Sequence, residues 1–188
     1  MKCFLHKRVP CGITLLSLES SKNTGTLGPM PSLHIISAST SGNTDYVVDT
    51  LKQHLSDAQS DLTVTVQRAE EAKQEDMERG DVLLLASSTW NYDGVEGYLN
   101  MHMREFLEKR AKDADLSGKP VALIVLGDDR YYYTGRGTER FMQYLMSNNG
   151  KSCTMPLIII NDPYGQEEKI REWSNKLMSC FTSFDESH

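Results

Sequence analysis

The 188-residue chain has neither a G-x-G-x-x-G turn nor a G-x-x-x-x-G-K-[ST] loop, which removes the usual cradles for dinucleotides and nucleoside triphosphates. No apolar run approaches the roughly 18 residues needed to cross a membrane. Runs such as Val82 to Ala86 and Leu157 to Ile160 have the length of buried strands. Cysteine is scarce. Cys3, Cys11, Cys153 and Cys180 form no C-x-x-C pair and do not interleave with histidine at zinc-ligand intervals, so neither a metal site nor a redox dithiol is indicated. Cys153 opens a strand and Cys180 lies on an apolar helix face; both read as reduced, buried thiols in a cytoplasmic setting. His34 falls in a strand and His54 and His102 on helices, where a lone histidine is a structural group, and no Ser/His/Asp or Cys/His nucleophile can be assembled. Positive charge is also short. The formal charge of −6 makes nucleic acid a poor partner.

With 39% hydrophobic residues, the chain can bury one sizeable core but has no room for a second nucleotide-binding domain. Residues 1–29 stand apart from it: they hold four basic residues (Lys2, Lys7, Arg8, Lys22) against one acidic (Glu19), and Ser20 to Pro29 is rich in Ser, Gly, Thr and Pro. Taking these from the totals of 20 and 26 leaves 16 basic and 25 acidic residues, or −9, for residues 30–188. Lys2, Lys7 and Arg8 precede the apolar stretch Ile13 to Leu18, as in a secretory signal, but that stretch is short, broken by Ser17 and lacks a convincing cleavage site. We read 1–29 as a disordered extension or an upstream read-through, with Met30 as the natural start, and 30–188 as the folded domain.

Within that domain the periodicities predict strands at Leu33 to Ala38, Leu62 to Gln67, Val82 to Ala86, Val121 to Leu126 and Ser152 to Ile160, with helices between them and one after the last. Ile170, Trp173, Leu177 and Phe181 give the last helix one apolar face, and Leu99, Met103, Phe106 and Leu107 do the same for the third. The second helix, Ala69 to Arg79, has Met77 as its only large apolar residue and is expected to be short or irregular. A βα repeat of this kind, joined by right-handed crossovers, makes a doubly wound α/β fold: a five-stranded parallel sheet between two helical layers.

Three strands end in polar loops. Ser39-Thr40-Ser41-Gly42-Asn43-Thr44 separates the first strand from a helix with Val47, Val48, Leu51 and Leu55 on one face, and no basic residue lies between Leu33 and Leu51. Hydroxyls, backbone N–H groups and the positive helix end can there hold a phosphate without Lys or Arg, and a hydroxyl-rich loop suits a terminal monophosphate. Such residues also cap helices, so this loop alone decides nothing. Ser87-Ser88-Thr89-Trp90-Asn91-Tyr92-Asp93-Gly94 and Gly127-Asp128-Asp129-Arg130-Tyr131-Tyr132-Tyr133 each place aromatics after a buried strand. In an open parallel sheet these loops meet at one edge, where connections switch sides. Phosphate donors and two aromatic plates would face one ligand.

At this point the chain resembles the flavodoxins, from about Leu33 to Phe181. Ser39, Gly42 and Thr44 match defining positions of the family's first loop, with Val48 where a small residue is usual; Trp90-Asn91 looks like its flavin-stacking Trp and the residue beside flavin N5. Tyr131, four residues after Gly127, falls where the second stacking Tyr belongs, and Leu116-Ser117-Gly118-Lys119 leading into Val121 looks like the approach to the fourth strand. The resemblance implies strand order 2-1-3-4-5, non-covalent FMN, and a cofactor site drawn from Ser39, Thr40, Ser41, Gly42, Asn43, Thr44, Ser88, Thr89, Trp90, Asn91, Tyr92, Gly127, Asp128, Tyr131 and Tyr133. It further implies that the peptide after Trp90 turns its carbonyl toward N5 when the first electron arrives, a move for which Asn91 suits because Asn tolerates positive φ.

The function so implied is that of a low-potential one-electron carrier rather than an enzyme: an acidic cytoplasmic monomer passing electrons between a reductase and acceptor enzymes with basic docking surfaces. Two rivals share the fold. A quinone or azo reductase would need open space above the ring, which Trp90 opposes; a partner or activator module would use the acidic surface for docking. Arg130, Arg136 and Arg140 are unusual beside a site ringed by Asp93, Glu96, Asp128 and Asp129, and read as solvated charges.

Overall fold

A computed structural model describes residues 30–182, so the expectation for the first 29 lies outside the described residues. Strands β1 (Ser32–Ala38), β2 (Thr63–Arg68), β3 (Val82–Tyr92), β4 (Val95–Leu99), β5 (Pro120–Gly127), β6 (Lys151–Ser152) and β7 (Leu157–Ile160) form one sheet of order β2-β1-β3-β5-β6, in which β7 also pairs with β5 and β4 with β3. All pairings along the main path are parallel, with Leu33 opposite both Val64 and Val82. This is the expected doubly wound order. Two corrections accompany it: the last strand is broken in two, and an antiparallel strand is added.

The break has a local cause. β6 leaves β5 at Val121↔Ser152 and β7 joins it at Ile124↔Leu157, so Cys153, Thr154, Met155 and Pro156 occupy a gap that β5 crosses with Ala122 and Leu123 alone. Pro156 has no N–H for the ladder. The added strand is a hairpin: Asp93 (φ 51) and Gly94 (φ 78) make the two-residue turn whose positive φ values match the twist of paired strands.

Side chains alternate across the sheet and feed two cores. Leu33, Ile35, Leu84, Ile124 and Ile159 pack with Val47, Val48 and Leu51 of helix α1 (Asn43–Ala58) and with Ile170, Trp173 and Leu177 of the last long helix. Ile36, Leu83, Leu85, Leu123 and Val125 pack on the other face with Met103 of helix α2 (Met101–Glu105), Phe106 and Leu107 of the π turn that follows, and Phe141 and Leu145 of helix α3 (Gly137–Ser147). The three-layer arrangement follows from this alternation. Leu99, read as helical, instead ends β4.

The expected second helix is one 3-10 turn, Gln74–Glu78. Its approach makes a single turn, with the Glu71 and Ala72 amides both 3.1 Å from Arg68 O, and the Arg110 guanidinium then donates to the carbonyls of Ala69 (2.7 Å), Glu70 (2.6 Å) and Ala72 (2.8 Å), satisfying backbone acceptors that a longer helix would have used. After α4 (Glu167–Leu177), the short helix α5 (Ser179–Thr182) carries Cys180 back to Cys153, with which it forms a disulfide (Cα–Cα 5.5 Å). The reading of these two as free thiols is thereby corrected. Cys3 and Cys11 lie outside the described residues. Among the described residues no helix is long and apolar enough to cross a membrane, and no group of His, Cys, Asp and Glu is placed to hold a metal.

His34 is structural, as expected, and is buried in β1 with Nδ1 2.8 Å from Thr65 Oγ1. Burial, reinforced by the Arg79 charge, lowers its pKa from 6.5. The unfolded chain therefore binds a proton that the folded chain refuses. Stability from this group is complete above about pH 6.5 and falls as pH drops toward the lowered value. His34→Gln is expected to flatten the stability curve below about pH 6.5 in urea titrations; an unchanged slope would clear His34 of the effect.

Candidate functional site

At the carboxyl edge of the sheet a cleft of about 730 Å³ opens between the ends of β1, β3, β5 and β7. That size suits a small cofactor. The β1 loop supplies Ser41 and Asn43; β3 supplies Ser88, Thr89, Trp90 and Asn91; the β5 loop supplies Gly127, Asp128 and Tyr131. Nine of the expected residues therefore share one cavity. The rest stand behind or beside it.

Ser39 is buried and its Oγ accepts from the Gly42 amide at 3.1 Å, pinning the loop. Thr40 Oγ1 accepts from Asn100 Nδ2 at 2.7 Å, and Thr44 is buried in the first turn of α1. Gly42, at φ +89, caps that helix in a backbone state that side chains resist. The turn it starts leaves the amides of Asn43, Thr44 and Asp45 without intrahelical acceptors, directed out of the helix end that Ser41 and Asn43 line. A guanidinium holds the loop from outside: Arg68, at the end of β2, donates to Ser39 O at 2.8 Å and pairs with Asp45. Sequence reading missed Arg68 and Asn100, since only the fold brings either to the loop. Asn100 is fully buried; besides holding Thr40, its Oδ1 caps α2 by accepting from the His102 amide at 3.0 Å.

Trp90 belongs to a strand, not a loop. β3 continues through it because β4 pairs alongside, with Trp90 opposite Tyr98, and its indole donates to Ser88 Oγ at 2.6 Å. Between Trp90↔Tyr98 and Tyr92↔Val95, the two residues Glu96 and Gly97 oppose the single Asn91, a bulge seated on Gly97 at φ +87. A Cβ on Gly97 would lie 2.6 Å from Arg136 Cδ. Asn91 is exposed and is not among the residues at positive φ. Tyr92 packs its ring against Trp90 (centroids 6.4 Å, 28° between planes) and accepts from the Met101 amide at 2.9 Å, away from the cleft lining.

The β5 loop is braced by charge. Arg130 Nε donates to both carboxylate oxygens of Asp128 at 2.9 Å, and this pairing holds the Asp128 pKa down to about 2. Tyr131 lines the cleft; Tyr132 is 88% exposed; Tyr133 sits at a small recess beside Tyr131, with its amide on Glu96 Oε2 (3.1 Å) and the Arg136 guanidinium 4.5 Å from its ring centre. Arg136 and Arg140 therefore pack on rings, Arg140 lying 5.0 Å from the Tyr98 ring centre, which corrects their reading as solvated, whereas the Arg130 side chain is 79% exposed.

A fourth loop was not expected. Asn161, Asp162 and Tyr164, after β7, line the cleft too. Asn161 (φ 66) ties this loop to the third, its Oδ1 accepting from the Asp129 amide at 3.0 Å and its Nδ2 donating to Asp129 Oδ2 at 2.8 Å. Tyr164 packs on Tyr46 of α1 (centroids 4.2 Å), whose hydroxyl donates to Glu167. The signal was present in Asn161-Asp162-Pro163-Tyr164-Gly165, a turn sequence after an apolar strand.

The donors fit a flavin mononucleotide. One end of the cleft offers an anion cradle without lysine. Farther along, Trp90 and Tyr131 supply aromatic surface. A family model described as Flavodoxin matches residues 35–173. Among solved structures, flavodoxin 2 from Bacillus cereus superposes with a TM-score of 0.69 at 28% identity, covering 79% of this chain and 98% of its own. Flavodoxin 1 from the same organism gives 0.68 at 21%, with coverage of 79% and 97%. A short-chain flavodoxin associated with a non-canonical PDU bacterial microcompartment gives 0.68 at 21%, with coverage of 81% and 99%. The match over residues 35–173, on a sheet of the same order and a cleft with these donors, places the chain in the flavodoxin family.

Proposed function

We propose that the protein is a low-potential one-electron carrier with non-covalently bound FMN, working between a reductase and acceptor enzymes. Family membership supports FMN binding and electron carriage in general terms. The observation that carries the fuller reading is that an anion cradle of hydroxyl, amide and helix-end N–H groups and two aromatics from different strand ends share one cleft. When bound, the flavin supplies two successive one-electron steps.

The chain supplies position and electrostatics. Ser41, Asn43 and the first-turn amides of α1 hold the phosphate, while Trp90 and Tyr131 exclude water from the ring. Asp128 and Arg130 largely neutralise each other, leaving Asp129 and Asp162 as the uncompensated carboxylates of the lining. A carboxylate about 10 Å from a developing negative charge, at an effective dielectric near 20, opposes it by roughly 1.7 kcal/mol, or about 70 mV for one electron before screening. Stepwise anaerobic reduction followed by visible spectroscopy is the test. Two resolved one-electron waves, the second well below that of free FMN, are expected; a single two-electron wave with rapid nicotinamide oxidation would favour a reductase.

Docking follows from charge. Residues 30–188 carry the −9 excess, Asp129 lines the cleft, Glu96 lines the recess beside it and Asp93 turns the adjoining hairpin, so association with a basic partner should slow as salt rises through the range where the Debye length falls below about 10 Å. Stopped-flow rates that ignore ionic strength would remove the docking surface.

A further inference from the structure

A second cavity, of about 140 Å³, lies between α2, β4 and α3 and shares no residue with the cleft. Leu99 and Leu107 supply its apolar lining, Tyr98 and Tyr144 its aromatic one, and Glu108 and Gln143 stand with two arginines among its polar residues. Two guanidinium groups converge on the Tyr98 ring, Arg104 and Arg140, each 5.0 Å from its centre. Arg104 has a partial counter-charge in the largely exposed Glu108, at 3.5 Å. Arg140 has none: among the described residues it makes no ion pair or side-chain hydrogen bond, and its Nε is enclosed without a partner. In a domain with nine excess negative charges, a half-buried arginine left without a carboxylate is unusual, because an enclosed guanidinium N–H without an acceptor costs free energy.

We propose that this cavity binds a small free oxyanion, a compact carboxylate or inorganic phosphate, through Arg140 with Arg104 as second cation. The planar guanidinium fork matches carboxylate and phosphate oxygens, and the Tyr98 ring holds both forks in place by cation–π contact. Volume sets the class. About 140 Å³ admits an anion of a few heavy atoms and excludes a nucleotide. The site is independent of the flavin cleft, so it can fail while the carrier reading stands.

The test uses the full chain loaded with FMN, titrated with succinate and separately with inorganic phosphate at constant ionic strength held by chloride. The Arg140 Nε–H resonance and the Tyr98 ring resonances are followed by NMR. Saturable shifts at millimolar anion are expected, with at least a tenfold loss of affinity in Arg140→Gln and a smaller loss in Arg104→Gln, while the visible flavin spectrum of both variants stays as in the parent. Response to phosphate alone or succinate alone would fix the ligand within the class. Shifts that do not saturate, that chloride reproduces, or that persist unchanged in Arg140→Gln would overturn the site. The wild-type resonances answer the question even if a variant folds poorly.

Discussion

Replacing Ser41 and Asn43 together by Ala is expected to weaken FMN binding at least about 100-fold while changing riboflavin binding by no more than about threefold. Both residues line the cleft at the amino end of α1, and no lysine or arginine among the cleft residues shares the task at that end. A hydrogen bond to a charged acceptor contributes about 1.5 to 3 kcal/mol, so two lost donors remove about 3 kcal/mol or more from the ligand that carries the anion. Riboflavin lacks that anion and, on the proposed reading, would keep its ring contacts with Trp90 and Tyr131. Fluorescence quenching titrations with both ligands decide the matter. Equal losses would mean that the loop shapes the cleft and does not read the phosphate.

Reduction of the Cys153–Cys180 disulfide is expected to lower unfolding stability by about 3.5 kcal/mol and the melting temperature by about 10 °C. The bridge closes 27 residues of chain, and the loop-entropy relation gives this magnitude for such a loop. Its ends matter as much as its length. It fastens the irregular stretch before β7 to α5, and through α5 to the core of Trp173 and Leu177. Melting with and without a phosphine reductant, checked by thiol alkylation and mass, measures the effect; Cys180→Ser should melt with the reduced protein. Coincident melts for oxidised and reduced samples would show that packing alone holds this end.

That bridge also marks where sequence stops being informative. Two cysteines at this separation carry no local spacing rule, and only the return of α5 onto the β6–β7 gap brings them together. By contrast, three of the four cleft loops were legible, since each follows an apolar run and a parallel sheet sends all its carboxyl ends to one edge. The fourth obeys the same rule. It is harder to see because the break within Ser152 to Ile160 leaves no mark in the periodicity, and the turn after it matches none of the residues that carry the resemblance. The β3–β4 hairpin is hidden for a different reason: Asp93-Gly94 is a strong hairpin signal, but Ser87 to Tyr92 before it reads equally as a polar loop after a buried strand. Arg68, Asn100 and Arg110 act across 29, 60 and about 40 residues of chain, through contacts that no periodicity encodes.

The fourth wall of the cleft has a consequence for how the chain folds. Its residues follow β7, the last strand of the sheet, so the cavity that begins at Ser41 closes only after the polypeptide has been laid down as far as Tyr164. Parallel pairing of this kind is non-local and slow, because loop closure must precede the contacts that reward it. A ligand that meets all four walls binds the finished sheet and not its partly assembled precursors. At a hundredfold excess over its dissociation constant such a ligand adds about 2.7 kcal/mol to the native state. If flavin is that ligand, its supply sets the stability of the finished domain as a whole.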